Sequence, residues 1–156
     1  MTAEYEGEWK DDYKARRMEM RYTPQGSLRD LNDEPAMSVS AKRRREVYTE
    51  RWATGGSTLL GSFNNLLNDQ NSNDTAAEFV RQQIRNTVND PETAELLCPK
   101  DHPIGTKRIC IDSGYYQTFN RGNVELVDIK NTPIERITET GLITNGRRFE
   151  FDSIVF

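Results

Sequence analysis

The chain has 156 residues, of which 35% are hydrophobic and 29% charged, with a formal net charge of −4. The apolar share is low even with the ten Gly counted, since a typical globular chain carries roughly 45–50%; the core is thin, or the chain is part of something larger. The acidic balance excludes general electrostatic binding to nucleic acid, which needs a basic face, and no apolar run approaches the roughly 18 residues of a membrane-spanning helix.

The opening MTAEYEGEWKDDYK has no apolar core of a secretory signal. Cys98 and Cys110 do not form a CxxC pair, and His102 is the single histidine. This leaves no zinc ligand set and suggests two free thiols in a reducing cytoplasm.

A first helix is expected over residues 3–20, with Tyr5, Trp9 and Tyr13 stacked at four-residue spacing as a packing face. Thr23-Pro24-Gln25-Gly26 breaks it, and an irregular loop reaches Met37. Ser38 or Ser40 caps a second helix that ends at Gly55-Gly56 and buries Val47, Tyr48 and Trp52. Its Lys42-Arg43-Arg44-Arg45 run spreads around the helix, so it reads as a solvated surface and not as one binding face. A short helix is expected over residues 59–67. A longer one follows over 75–88, where Ala76, Val80, Ile84 and Val88 recur every four residues. Asn73-Asp74-Thr75 matches a glycosylation acceptor, but without a secretory signal Asn73 or Asp74 more naturally caps that helix. Asp90-Pro91-Glu92 starts another helix, ending near Cys98-Pro99.

The period then changes. Residues 124–128, 134–138 and 142–144 read as strands, and Asn145-Gly146 before residues 147–151 is a hairpin signal. Residues 154–156, Ile-Val-Phe, read as the start of a buried strand, as a piece of a larger protein would show. The pattern is α+β, with a helical N-terminal half and short strands in the C-terminal half.

Most catalytic signatures are missing: there is no GxSxG, Walker loop or GxGxxG. The connector between the halves is the exception. It carries Gly105, which lets the backbone turn sharply or approach a ligand closely, and then the adjacent cations Lys107 and Arg108 beside the apolar residues 109–111. Lysine is a mobile point charge suited to a phosphate, and arginine a permanent planar fork suited to an oxyanion. The same pair is also what an exposed surface loop would show.

A wider pattern bears on that choice. PIGTKRICIDSGYYQTFNR over residues 103–121, Asn123 to Asp128, Pro133-Ile134-Glu135, Ile137-Thr138, residues 35–40, Trp52-Ala53-Thr54-Gly55-Gly56 and Asp90 to Ala94 together resemble the Baeyer–Villiger flavin monooxygenases in order and spacing, in the manner of the cyclohexanone, phenylacetone and steroid monooxygenases. The resemblance covers nearly the whole chain and is thinnest over residues 1–34. It implies an internal fragment of an α/β flavoprotein with two dinucleotide-binding domains. Residues 1–99 would be the helical subdomain inserted in the NADP-binding domain, residues 100–128 the return into that domain, and residues 129–156 a β-hairpin segment of the FAD-binding domain. Both Gly-rich fingerprints and the family's His-containing signature would lie upstream.

The implied parent enzyme uses FAD and NADPH to insert one oxygen atom of O2 beside a ketone carbonyl, giving an ester or lactone. Its partners are the ketone, O2 and the remaining FAD- and NADP-binding domains, with neither nucleic acid nor membrane. By the resemblance, Arg108 is the catalytic arginine that stabilises negative charge on oxygen and helps hold the nicotinamide, and Lys107 contacts the 2′-phosphate that distinguishes NADPH from NADH. The chain alone is expected to be inactive. The alternatives are a related flavin monooxygenase acting on sulfur or nitrogen, and a non-catalytic helical and β interaction module.

Overall fold

The computed structural model describes residues 10–23, 31–110 and 113–155. Among the described residues, five helices and three strands follow one another: α1 (Tyr13–Met20), α2 (Ala41–Thr54), α3 (Gln70–Thr87), α4 (Pro91–Leu97), the single turn α5 (Tyr115–Thr118), then β1 (Ile134–Thr138), β2 (Gly141–Thr144) and β3 (Arg147–Glu150). Two short 3-10 turns, Ala36–Ser38 and Gly56–Gly61, flank α2. The expected helical half and stranded half are both present. Tyr5 and Trp9 of the expected aromatic stripe lie outside the described residues, and Tyr13 is exposed.

The chain divides into two compact units. One contains residues up to Phe79 together with 103–110, and the other contains Val80–His102 and the residues from 113 onward.

In the first unit, α2 begins where Ser40 accepts a hydrogen bond from the Arg43 N–H, which satisfies one of the free donors at a helix start. It ends at Gly55, whose N–H donates to the Trp52 carbonyl. Val47 and Tyr48 are buried and Trp52 is half-buried. Tyr48 packs edge-on to Phe63 at 5.5 Å and beside Phe79 at 5.4 Å, and its hydroxyl lies 2.8 Å from Thr75 Oγ1. Such aromatic contacts add to burial and still give the polar atom a partner. Leu59 and Leu66 complete this core. Of the basic run, Lys42, Arg43 and Arg45 are exposed, while Arg44 turns back to donate to the Ala36 and Val39 carbonyls.

Three helical expectations are corrected here. Residues 62–68 are a series of bends and turns after the 3-10 turn, not a helix reaching Leu67. Asn64 and Asn65 divert the backbone by bonding to the Asp33 carbonyl and the Ala36 N–H, in the way Asn side chains compete with helical hydrogen bonds. α3 starts at Gln70, not near Thr75. Its cap is Asp69, whose carboxylate accepts from the Ser72 N–H at 2.8 Å; the Ser72 side chain first, and this N–H next, lower the pKa of Asp69. Asn73 and Asp74 therefore lie inside the helix.

In the second unit, Ile84, Val88, Ala94 and Cys98 form a buried cluster with Val80, Leu97, Tyr116 and Phe119 packed against it. The four-residue stripe of α3 thus meets α4, which Asp90 caps through the Thr93 N–H at 2.8 Å, with Pro91 in its first turn. Asn120 closes the end of α3: its amide donates to the Thr87 carbonyl at 2.7 Å and accepts from the Asn89 N–H at 2.8 Å. Burial pushes the Cys98 thiol up in pKa, and both cysteines are free, as expected.

The sheet runs β1-β2-β3, antiparallel throughout. Asn145 (φ 47°) and Gly146 (φ 69°) both take positive φ, the backbone of the two-residue hairpin turn whose twist matches the strands. Leu142 pairs with Phe149 and Ile137 with Leu142. Buried Thr144 donates to the Thr132 carbonyl at 2.5 Å.

Two expected strands do not form. Residues 124–128 are irregular: turns at either end bond the Val124 N–H to the Arg121 carbonyl and the Ile129 and Thr132 N–H groups to the Val127 and Asp128 carbonyls, and no described strand pairs with the segment between them. The segment is tied to β3 instead through Arg147, which donates to both carboxylate oxygens of Glu125, one at 2.8 Å. The pair lowers the pKa of Glu125 and raises that of Arg147. Ile154 and Val155 are exposed, Val155 to 94%, and are not in a strand, since no described strand lies alongside them. Phe156 lies outside the described residues.

Candidate functional site

The candidate site sits on the segment over residues 103–110. It starts with a turn: Thr106 donates through its N–H and its hydroxyl to the Pro103 carbonyl, at 3.3 and 2.7 Å. Ile104 is an ordinary L residue there, and Gly105 takes φ +89°. Positive φ at the third residue alone is the pattern of a type II turn, which favours glycine at that place. The turn is also packed from outside. A Cβ on Gly105 would lie 2.6 Å from Leu67 Cδ2 and 3.1 Å from Leu60 Cδ2. The close approach that Gly105 permits is therefore to two leucines of its own unit.

Lys107 and Arg108 follow directly, both exposed, with Ile109 half-buried beneath the same stretch and Cys110 exposed. Among the described residues neither cation has an ion-pair or hydrogen-bond partner for its side chain. Two adjacent, unsatisfied cations just beyond a hydrogen-bonded turn can receive an anion without first breaking a protein ion pair, which suits a phosphate or a charge-bearing oxygen. Ile111 and Asp112 lie outside the described residues.

His102 is not part of that arrangement. Its Nδ1 is 2.7 Å from Asp101 Oδ1, and Lys130 Nζ is 3.7 Å from Asp101 Oδ2. The His102 contact leads the causes that lower the pKa of Asp101. No group of three or more His, Cys, Asp or Glu among the described residues could hold a metal. Among them also, no helix is long and apolar enough to cross a membrane.

One residue of consequence escaped the sequence reading. Asn73, 4% exposed on α3, holds Ile104 at both ends of its peptide: its amide donates to the Ile104 carbonyl at 2.9 Å and its oxygen accepts from the Ile104 N–H at 3.0 Å. The amide also donates to the Leu66 carbonyl at 2.8 Å. This buried placement, inside a helix and fully bonded, is incompatible with a glycosylated side chain. A signal was present: Ser72 and Asn73 extend the apolar stripe of α3 by one turn, and a polar residue on a buried stripe needs partners.

No protein-family model matches the chain. It is 44% identical over 124 residues to the cyclopentanone 1,2-monooxygenase of Comamonas sp. (strain NCIMB 9872), covering 78% of this chain and 22% of that protein. It is 36% identical over 126 residues to a Baeyer–Villiger monooxygenase of Pseudooceanicola batsensis, covering 79% and 23%. The solved structure of OTEMO in complex with FAD and NADP superposes with a TM-score of 0.92 at 33% identity, covering 97% of this chain and 28% of that one. The chain is therefore homologous to part of a flavin monooxygenase. More narrowly, its relatives include Baeyer–Villiger monooxygenases, of whose length it spans little more than a fifth.

Proposed function

We propose that this chain is part of an FAD- and NADPH-dependent Baeyer–Villiger monooxygenase of the cytoplasm, one that inserts an oxygen atom of O2 beside a ketone carbonyl to give an ester or lactone. In that reading residues 1–99 are the helical subdomain of the NADP-binding domain, residues 100–128 the return into it, and residues 129–156 a hairpin segment of the FAD-binding domain. The remaining parts of both dinucleotide domains complete the enzyme. When bound, reduced FAD supplies the electrons that activate O2, and the protein supplies position and electrostatics.

The supporting observation is the exposed Lys107-Arg108 pair on the Gly105 turn, unpartnered among the described residues, within a chain 44% identical to a cyclopentanone monooxygenase. Lys107 places a compact positive charge for the 2′-phosphate of NADPH. Arg108 presents a fixed guanidinium to negative charge that develops on oxygen as the ketone is attacked, and to the nicotinamide amide. Charge that grows only in the oxygenation step makes Arg108 count mostly there, and less in hydride transfer.

The test is Arg108→Ala in the full-length enzyme. Ester formation should fall roughly a hundred- to a thousand-fold, while flavin reduction by NADPH, followed by bleaching of the flavin absorbance, stays measurable. Arg108→Lys should not restore it, because an ammonium cannot span two acceptors as a planar fork does. Ester yield per NADPH consumed that stays near wild type in the Ala variant removes Arg108 from this role.

A further inference from the structure

Lys107 and Arg108 sit three and four residues beyond Ile104, on a segment that α3 reaches over a separation of 31 residues. Long exposed side chains on a loop are imprecise tools unless the backbone beneath them is fixed. The first unit fixes it in two ways. Leu60 and Leu67 abut Gly105 so closely that an added Cβ would press on the ends of both side chains. Asn73 grips the peptide groups on either side of the Ile104 Cα, one as donor and one as acceptor, and is itself anchored to the Leu66 carbonyl.

All three Asn73 bonds are 2.8–3.0 Å long, so its buried amide is satisfied in both donor positions and at its oxygen. Paired bonds to one residue set position and orientation together, where a single bond would allow rotation. Asn73 also stands in the same helix as Thr75, whose hydroxyl meets Tyr48 in the core. The grip therefore comes from a helix that is packed on its other contacts and cannot follow the loop.

We infer that Asn73 is a positioning residue for the Lys107-Arg108 pair: it holds the Ile104–Gly105 turn in register with α3, so that the two cations meet the coenzyme and the reacting oxygen at a set distance. The inference rests on the roles given above to Lys107 and Arg108. It assigns Asn73 no contact with coenzyme or substrate; its effect passes through the backbone alone.

The experiment uses the full-length enzyme, with NADPH and NADH compared and ester measured per coenzyme consumed. Misplacement of a binding group by about an ångström is enough to cost on the order of a hundredfold. Asn73→Ala should raise KM for NADPH by roughly tenfold or more, raise KM for NADH less, and lower ester yield, with flavin content unchanged. The decisive reading is a double-mutant cycle, because residues acting through one another do not add. In a Lys107→Ala background, Asn73→Ala should change KM for NADPH by less than about twofold. Equal factors in both backgrounds would show a general structural effect and overturn the inference.

Should Lys107→Ala leave the preference for NADPH intact, the role of Lys107 has failed. The clamp is then judged by ester yield alone, in an Arg108→Ala background where Asn73→Ala should add nothing. If Arg108→Ala is silent as well, the inference falls with the reading it rests on. Asn73→Asp keeps the volume and the acceptor for the Ile104 N–H but removes both donated bonds, and it stands in if the Ala variant does not fold. Failure of both variants to yield flavin-loaded protein would make Asn73 a residue of folding only and overturn its positioning role.

Discussion

Of the described glycines at positive φ, Gly105 and Gly146 stand in turns that are specified in opposite ways. The hairpin turn at Asn145-Gly146 is encoded by the two residues that form it and the strands beside them. Gly146 has nothing within 4 Å of where a Cβ would be. The turn at Gly105 also sets its glycine at positive φ, 89° against 69°, but it is shaped by Leu60, Leu67 and Asn73, distant in sequence. The first turn serves to connect two strands. The second presents a cationic pair and is packed by side chains 31 or more residues away, whereas the hairpin takes one outside bond, from the Gly146 N–H to Glu135 Oε1 of the neighbouring strand at 2.8 Å.

Alanine at each glycine separates the two contributions. Gly105→Ala meets both left-handed strain and a collision with Leu67, and should destabilise by about 3 kcal/mol, the sum of a φ cost near 1–2 and modest overpacking. Leu67 Cδ2 is the end of a side chain 60% exposed, so part of that overpacking is relieved as it turns aside, while half-buried Leu60 has less room. Gly146→Ala meets the φ cost alone, and the loss should be about 1 kcal/mol. Urea unfolding midpoints of the two variants measure the gap. Equal losses would mean that Leu60 and Leu67 yield freely, and that the Gly105 turn is as local as the hairpin.

The same contrast explains what could be read from the sequence. Ser40, Asp90-Pro91 and Asn145-Gly146 are local codes, in which the residue that causes the structure sits inside it; all three were legible. The stripe of α3 was legible because its period reports burial directly, although its start was misplaced by the attraction of Asn73-Asp74 as a cap when Asp69 held that role. Residues 124–128 alternate like a strand, but a strand needs a neighbour, and the Glu125–Arg147 pairing across 22 residues is invisible in either segment alone. Lys107 and Arg108 were picked out by their chemistry and by resemblance. Asn73 was not, because its partner backbone lies 31 residues away and a backbone has no sequence signature.

An exposed counterpart to the buried Asn73 clamp gives the smallest effect and the last check. Glu95 of α4 accepts from Arg85 Nε of α3 at 2.5 Å and lies 2.8 Å from Lys100 Nζ. The Arg85 hydrogen bond first, and the Lys100 one next, take the Glu95 carboxyl from its ordinary 4.5 down to about 2. The folded pKa is depressed, so the stabilisation is fully present above pH 4.5 and is lost as pH falls toward 2, once the folded state must also take up the proton. Glu95→Gln removes the charge at every pH. The variant should therefore be less stable than wild type at pH 7, and the difference should close between about pH 4.5 and 2. All three side chains are at least 31% exposed, so water and salt screen the triad, and the gap at pH 7 should be small and shrink further in 1 M salt. Unfolding midpoints of wild type and variant across that pH range, at low and high salt, make the measurement. A difference that persists unchanged at pH 2 would mean that Glu95 acts by packing and not by charge, and the exposed contact would then belong with the buried clamps.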